Sequence, residues 1–349
     1  MSFKMQINQV RRTIMHSLTG SIGNNSFIKP NLNPNHQFKR ILVSRPNQRL
    51  GNTLLLTPLL QELEKEFPSA KIDFFVKGKV APIIFENYKN VGQIIELPKK
   101  PFKELKNYIA VWIKVKSIKY DLVINVEKGS SSGRLSTKFS NSKFKLFGNE
   151  FINDENFSDQ IHFAKSPVYQ IRSFLKWYDG QSRNDEYPNL NIALSKNEIE
   201  SGKEKLINLG IDQTKKTIGI FTYATGQKCY CLEWWAKFYT YLYPEFEKEY
   251  NLIEILPVED ISMLNRVLKT YYSKDVREIA AVMNNCELVI AADSGMMHLS
   301  SSAPTKTLGL FRFDNFEKYK PYGAGNGYVY VYDNNQNQVI EKMKELLCM

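Results

Sequence analysis

The stretch ILVSRPNQRLGNTLLLTPLLQELEKEFPSAKIDFFV (41–76) decides the fold. An apolar run, Ile41 to Val43, gives way to a polar loop that carries Arg45, Pro46, Arg49 and Gly51. An amphipathic segment follows at once, and then a second apolar run from Ile72 to Val76. Short apolar runs separated by a segment of helical period read as strand, loop, helix, strand, the repeating unit of a parallel sheet. Pro58 lies inside the helical segment, where it removes a backbone donor and predicts a bend. Asn52 stands where the loop becomes the helix, beside the carboxyl end of the strand. An enzyme of this shape would be expected to place a carboxylate there, so the Gly51-Asn52 pair needs an explanation.

Alternation continues in both directions. Strands are expected at 40–44, 71–76, 93–96, 121–126 and 143–147, with amphipathic segments at 53–66 and 101–119. After the polar stretch DGQSRNDEYPNLN (179–191) a second series begins, with strands at 217–222, 252–256, 287–291 and 306–310. Its helices are expected at 232–248, 260–271, 275–285 and 295–302, and NQVIEKMKELLCM (337–349) forms a last helix that could fold back on the first half. At 349 residues the chain exceeds what one core usually supports. The expected architecture is therefore α/β, with two Rossmann-like domains whose mainly parallel sheets face a central cleft. The divisions are 1–38 as a basic leader and linker, 39–185 as the first domain, and 186–349 as the second with its C-terminal helix. The leader's INQVRRTIMHSL (7–18) could form a short basic amphipathic helix.

The formal net charge is +11, which favours anionic partners. Part of the excess gathers in PKKPFKELKNYIAVWIKVKSIKY (98–120). That run is either a solvated helix face or a surface for anionic lipid or a lipid-linked sugar. No nucleic-acid-binding motif accompanies the charge, so nucleic acid is not expected as a partner. No apolar run is long enough to span a membrane, and the first residues lack the apolar core of a secretory signal. Four scattered cysteines make no disulfide framework. A cytoplasmic protein, free or peripheral at the inner membrane face, is the expectation.

Three stretches carry candidate chemistry. In CELVIAADSGMMHLSSS (286–302) a buried strand runs into Asp293-Ser294-Gly295 and a helix bearing His298. The free N–H groups and dipole of such a helix start suit phosphate oxygens, and the same residues can simply cap the helix. In IGIFTYATGQKCYCLEWW (218–235) a strand delivers Thr222, Thr225 and Lys228 to a loop, where a lysine can neutralise a diphosphate or stay solvated. Cys229 and Cys231 have no further Cys or His at ligand spacing, so no metal is expected there. In LPVEDISMLN (256–265) Glu259 and Asp260 could accept hydrogen bonds from sugar hydroxyls or cap the next helix. There is no GxxxxGK loop, no GxGxxG fingerprint, no Gly-x-Ser-x-Gly elbow and no Asp-x-Asp pair.

Taken in order, RLGNTLLLTPLLQEL (49–63), YDLVINVEKGS (120–130), the Thr/Lys loop and REIAAVMNNCELVIAADSGMMHLSSS (277–302) resemble glycosyltransferase family nine, the heptosyltransferases of lipopolysaccharide core assembly and their relatives. The likeness runs from about residue 40 to about 325. Its most specific part is Asp-Ser-Gly-x-x-His, followed by the strand LGLF (308–311) and a Pro-Tyr-Gly loop. The resemblance implies the GT-B fold and an inverting, metal-independent transfer from a nucleotide sugar, typically ADP-heptose, with no cofactor. The acceptor would be a lipopolysaccharide-core or other glycan, or a lipid-linked sugar. It implies donor contacts at Thr222, Thr225, Lys228, Glu259, Asp293, Ser294, Gly295 and His298, and acceptor contacts at Arg49, Gly51 and Asn125.

The departures are specific. The family has Gly-Asp where this chain has Gly51-Asn52, and that aspartate is the general base. An amide cannot take up the proton, so Asn52 could orient an acceptor but not deprotonate it. Asn125 likewise stands where relatives often have Asp, and Arg312 and Phe313 replace a Gly-Pro-Thr-like turn. Either another group such as Glu127 or the donor phosphate serves as base, or the chain binds a nucleotide sugar without turning it over. A GT-B epimerase, acting with no acceptor, is a third expectation.

Overall fold

The computed structural model describes residues 13–14, 17–23, 36–100, 103–148, 150, 161–323, 325–331 and 335–348. The helix expected over 7–18 lies mostly outside them; 17–19 are helical and lead into a turn through 23. Two parallel sheets form. The first holds β1 (Arg40–Arg45), β2 (Lys71–Lys77), β3 (Val91–Leu97), β4 (Lys119–Asn125) and β5 (Asn141–Leu146), in the order β3-β2-β1-β4-β5. The second holds β6 (Lys216–Phe221), β7 (Tyr250–Ile255), β8 (Lys269–Tyr271), β9 (Leu288–Ala292), β10 (Lys306–Phe311) and β11 (Gly327–Tyr330), in the order β11-β10-β9-β6-β7-β8. β1 and β9 are apolar and buried on both faces, as helices covering both sides of a parallel sheet require. In each sheet the strand order reverses once, between β1 and β4 and between β6 and β9. The crevice outside the carboxyl ends at such a reversal is where doubly wound sheets hold their ligands.

The helices in the first half are α1 (Leu50–Leu54), α2 (Thr57–Glu66), α3 (Val80–Ile84), α4 (Leu105–Ser117), α5 (Ser131–Phe139) and α6 (Lys165–Asp179). In the second they are α7 (Lys196–Asn208), α8 (Leu232–Phe246), α9 (Val276–Asn284), α10 (Gly295–Ser302), α11 (Phe316–Tyr319) and α12 (Gln336–Cys348). The single bent helix expected over 53–66 is two helices. Pro58 falls in the first turn of α2, where a missing N–H breaks no intrahelical bond. α7 opens on a capping box, Ser195 with Glu198, and α9 on Asp275, whose carboxylate accepts from the N–H groups of Arg277 and Glu278.

Two sequence expectations fail. No helix forms over 260–271: Asp260, Asn265 and Arg266 have φ of 58°, 51° and 56°, left-handed values that a right-handed helix excludes, and 269–271 become β8. The last helix, α12, does not return to the first half. Val339, Ile340, Met343 and Leu346 join the second sheet's core beside α8 and β10–β11. Among the described residues no helix is long and apolar enough to cross a membrane.

Direct bonds lock the halves together. Gln61 Nε2 donates to Asn189 O (2.8 Å), and Tyr88 Oη donates to Asn191 O (2.7 Å). Arg277, buried on α9, donates to Ile83 O and Ile192 O at 3.0 and 3.2 Å and grips Glu198 with the rest of its guanidinium. These bonds fix how the two strand-order reversals face each other.

Candidate active site

The two reversals meet at α1 and α10, and Gly51 makes the close approach possible. A Cβ on Gly51 would lie 2.6 Å from His298 Cδ2 and 3.3 Å from Gly295 Cα; one on Gly295 would lie 3.2 Å from Gly51 N. The two glycines let the helix starts touch. This answers half of the question raised by Gly51-Asn52. Gly51, expected on the acceptor side, is buried where α1 meets the other half. Asn52, one residue on, is half-buried on α1.

Beyond this contact each half supplies an ion pair built the same way. In the second half, Lys228, from the loop after β6, meets Asp293, which follows β9, at 2.5 Å. In the first half, Arg45, which ends β1, meets Glu127, which follows β4, at 3.7 Å. The exposures are inverted. Asp293 is 7% exposed and Lys228 37%, whereas Arg45 is 4% exposed and Glu127 39%. One half thus turns a cation toward the cleft and the other a carboxylate.

Aromatic rings join the two pairs. Arg45 lies over the Phe163 ring at 5.6 Å, Phe163 packs against Tyr319 at 5.0 Å between centroids, and Lys228 lies over Tyr319 at 5.9 Å. Tyr319 feels both sides. Burial pushes its phenol above the ordinary value, Arg45 opposes that rise, and Glu127 and Asp293 add to it. Burial lowers the Arg45 guanidinium, while Glu127 and the Tyr319 oxygen hold it charged.

The turn into α10 is incompletely satisfied. Ser294 is its N-cap but makes no capping bond, and its buried hydroxyl has no hydrogen-bond partner. The buried His298 Nδ1 also has none. Burial, reinforced by His162 and Lys228, pushes His298 down to about 3, so its ring is neutral at any ordinary pH. Buried polar atoms are rarely left unpaired, and two within one turn of a helix start mark a place for ligand oxygens. His162, stacked on Tyr322, is likewise pushed down to about 4 by burial.

The structure brings together Lys228, Asp293, Ser294, Gly295 and His298 at one turn, with Glu127 and Asn52 contributed by the first half. Thr225 and Arg49 are exposed on the loops that flank it. Two other expected contacts lie below the cleft surface. Thr222, expected to touch donor, follows β6 directly; it is fully buried and donates to Glu254 Oε1 at 2.7 Å. Asn125, expected on the acceptor side, is fully buried, and its amide donates to Glu127 O (3.0 Å) and Phe147 O (2.8 Å), holding the β4 and β5 ends together. Glu259 is exposed on the turn after β7. Sequence reasoning missed Arg45 and Tyr319. Arg45 could have been found as the charged end of an apolar strand; Tyr319 carries no such signal, because only packing brings it across. Among the described residues no group of three His, Cys, Asp or Glu side chains is arranged to hold a metal ion.

Comparison with known proteins follows the same outline. Residues 274–349 match the family model for glycosyltransferase family 9 (heptosyltransferase). The lipopolysaccharide core heptosyltransferase OpsX of Haemophilus influenzae is 20% identical over 308 residues, covering 84% of this chain and 85% of that protein. A glycosyltransferase family 9 structure from Veillonella parvula aligns with a TM-score of 0.70 at 19% identity, covering 90% of this chain and 98% of that one. The Escherichia coli heptosyltransferase WaaC, solved with ADP, aligns with a TM-score of 0.65 at 15% identity, covering 88% and 99%. At such identities the two structures speak to the fold, which is the GT-B-like pair of sheets expected from the sequence. With the family match over 274–349 and the likeness to OpsX over most of its length, the chain is a glycosyltransferase similar to family 9, the heptosyltransferases.

Proposed function

We propose that the chain transfers a heptose-like sugar from a nucleotide diphosphate donor, an ADP-sugar, to a glycan or lipid-linked acceptor, with inversion and without a divalent cation. The inverted pairing of charges at the two switch points carries this reading. The second half offers a partly exposed ammonium, Lys228, beside a helix start with an unpartnered Ser294 hydroxyl, a donor set suited to a diphosphate. The other half offers a partly exposed carboxylate, Glu127. WaaC, similar in fold, binds ADP. On this reading the domain with β1–β5, ending near 185, holds the acceptor, and the domain from 186 onward holds the donor.

The reaction then divides between the pairs. As the acceptor hydroxyl attacks the anomeric carbon, its proton passes to Glu127, and Asn52 orients the hydroxyl by hydrogen bonds. The new C–O bond forms as the bond to the diphosphate breaks, and the leaving electron pair goes to the diphosphate oxygen. Lys228 and the amides at the start of α10 stabilise that developing charge, as fixed donors aimed at a leaving group do. Asp293 holds Lys228 in place, and neutral His298 supports the turn from beneath.

Transfer assays over a panel of ADP-, UDP- and GDP-sugars, with and without EDTA, test the proposal. Turnover with an ADP-sugar, unaffected by EDTA and lowered roughly 100-fold or more by Lys228→Ala, is expected. Turnover that Lys228→Ala leaves intact, or that EDTA abolishes, overturns it.

A further inference from the structure

Helix α4 carries more apolar surface than its sheet covers. Val115 is fully buried, and Tyr108, Val111 and Trp112 pack with it against a cluster that includes Leu42, Phe75 and Val123. Leu105, Ile109 and Ile113 follow one another at four-residue spacing along the adjoining face and are 56%, 50% and 63% exposed. Phe139, at the end of α5, extends the patch: its ring lies 6.4 Å from Trp112 and it is 51% exposed. Lysines border the stripe. Lys103, Lys106, Lys114 and Lys116 are all exposed, and Glu104 is the single acid in residues 98–120. A solvated helix face mixes both signs of charge and avoids a line of large aliphatics.

The basic run that contains α4 begins near the cleft. The chain leaves β3 at its carboxyl end, and a Cβ on Gly78 would lie 3.1 Å from both Lys99 Cε and Gln48 Cβ. Lys99 thus borders the loop that leads into α1 and Asn52. The described part of the leader shows the same character. Ile14 and Leu18, four residues apart, are 53% and 70% exposed, and the neighbouring Thr19 is tied to the start of α5 by a 2.9 Å bond from its hydroxyl to Ser131 Oγ.

We propose that this face docks the protein on an anionic lipid bilayer. Leu105, Ile109, Ile113 and Phe139 enter the boundary between headgroups and acyl chains, while the lysines extend their ammonium groups to the lipid phosphates. The excess of lysines around the stripe, with Glu104 as the one acid in 98–120, favours a bilayer over a second copy of this chain, because two such faces would repel each other. Docking does not depend on the transfer reaction, so it can fail while that reaction stands.

Flotation of the full chain with vesicles tests the proposal, using phosphatidylcholine alone or with about one-third phosphatidylglycerol. Binding to the anionic vesicles, weakened by salt, is expected, with little on the neutral ones. Ile109→Ser with Ile113→Ser, and separately Lys106→Glu with Lys116→Glu, should each weaken it at least tenfold with thermal unfolding unchanged. No binding by the wild-type chain to anionic vesicles, equal binding by both variants, or a change of oligomeric mass in the serine variant without a change in vesicle binding overturns it.

Discussion

At the carboxyl ends of the first sheet a buried Arg45 holds a partly exposed Glu127; at the corresponding ends of the second a buried Asp293 holds a partly exposed Lys228. The strand orders are equivalent, and in both halves the cation comes from the inner strand before the reversal and the carboxylate from the one after it. The difference lies in which partner is covered by protein. Burying one member of a pair fixes its position, and the outer member is left at the surface. One topology thus yields a half that exposes a cation and a half that exposes a carboxylate, the division on which the proposed transfer rests. The serines at the same turns differ in parallel. Ser130, entering α5, accepts from Gly133 N at 3.1 Å, whereas Ser294, entering α10, leaves its hydroxyl unpaired.

The comparison is most exposed at Glu127. Glu127→Gln keeps the shape and removes the proton acceptor, so kcat should fall about 100-fold or more with donor affinity unchanged. An unaltered kcat would reduce the first-half pair to a structural contact. Next comes pH. His298 and His162 are folded neutral, with values near 3 and 4 against 6.5 for a free imidazole. Below pH 6.5 the unfolded chain therefore takes up protons that the folded chain refuses. Stability is fully present above 6.5 and is lost as the pH falls toward 4, by roughly 2 kcal/mol per histidine at pH 5. Urea unfolding at pH 7.5 and 5 should show the loss, and His298→Gln should remove its share, locating that share at the α10 contact. The smallest effect separates the serines. Ser130→Ala should lower stability by about 1 kcal/mol and leave donor binding alone. Ser294→Ala should leave stability nearly unchanged and weaken ADP binding by roughly tenfold, read by calorimetry.

Much of the second half was legible residue by residue. Asp293, Ser294 and Lys228 could be placed because each follows a continuous apolar run, and a run of that kind announces both a strand and its end. Other features are not local. Thr222 lies one residue beyond such a run, yet it is fully buried and donates to Glu254 across 32 residues. Residues 260–271 carry apolar residues at helix-like spacing, but three left-handed residues bend the chain there. Gly51, expected on the acceptor side from the resemblance, lies against His298 and Gly295, a contact across 244 or more residues that no local pattern announces.

The sequence by itself determined two mainly parallel sheets and the turn at Asp293-Ser294-Gly295 that follows a buried strand, since these depend on local patterning of apolar and polar residues. Only the tertiary structure decided that Glu127 is exposed while its partner is buried, that Tyr319 and Phe163 join the two ion pairs, and that α4 is left half uncovered. Those depend on which surfaces meet between segments far apart in the chain, and which member of a charged pair is covered is a property of the assembled fold.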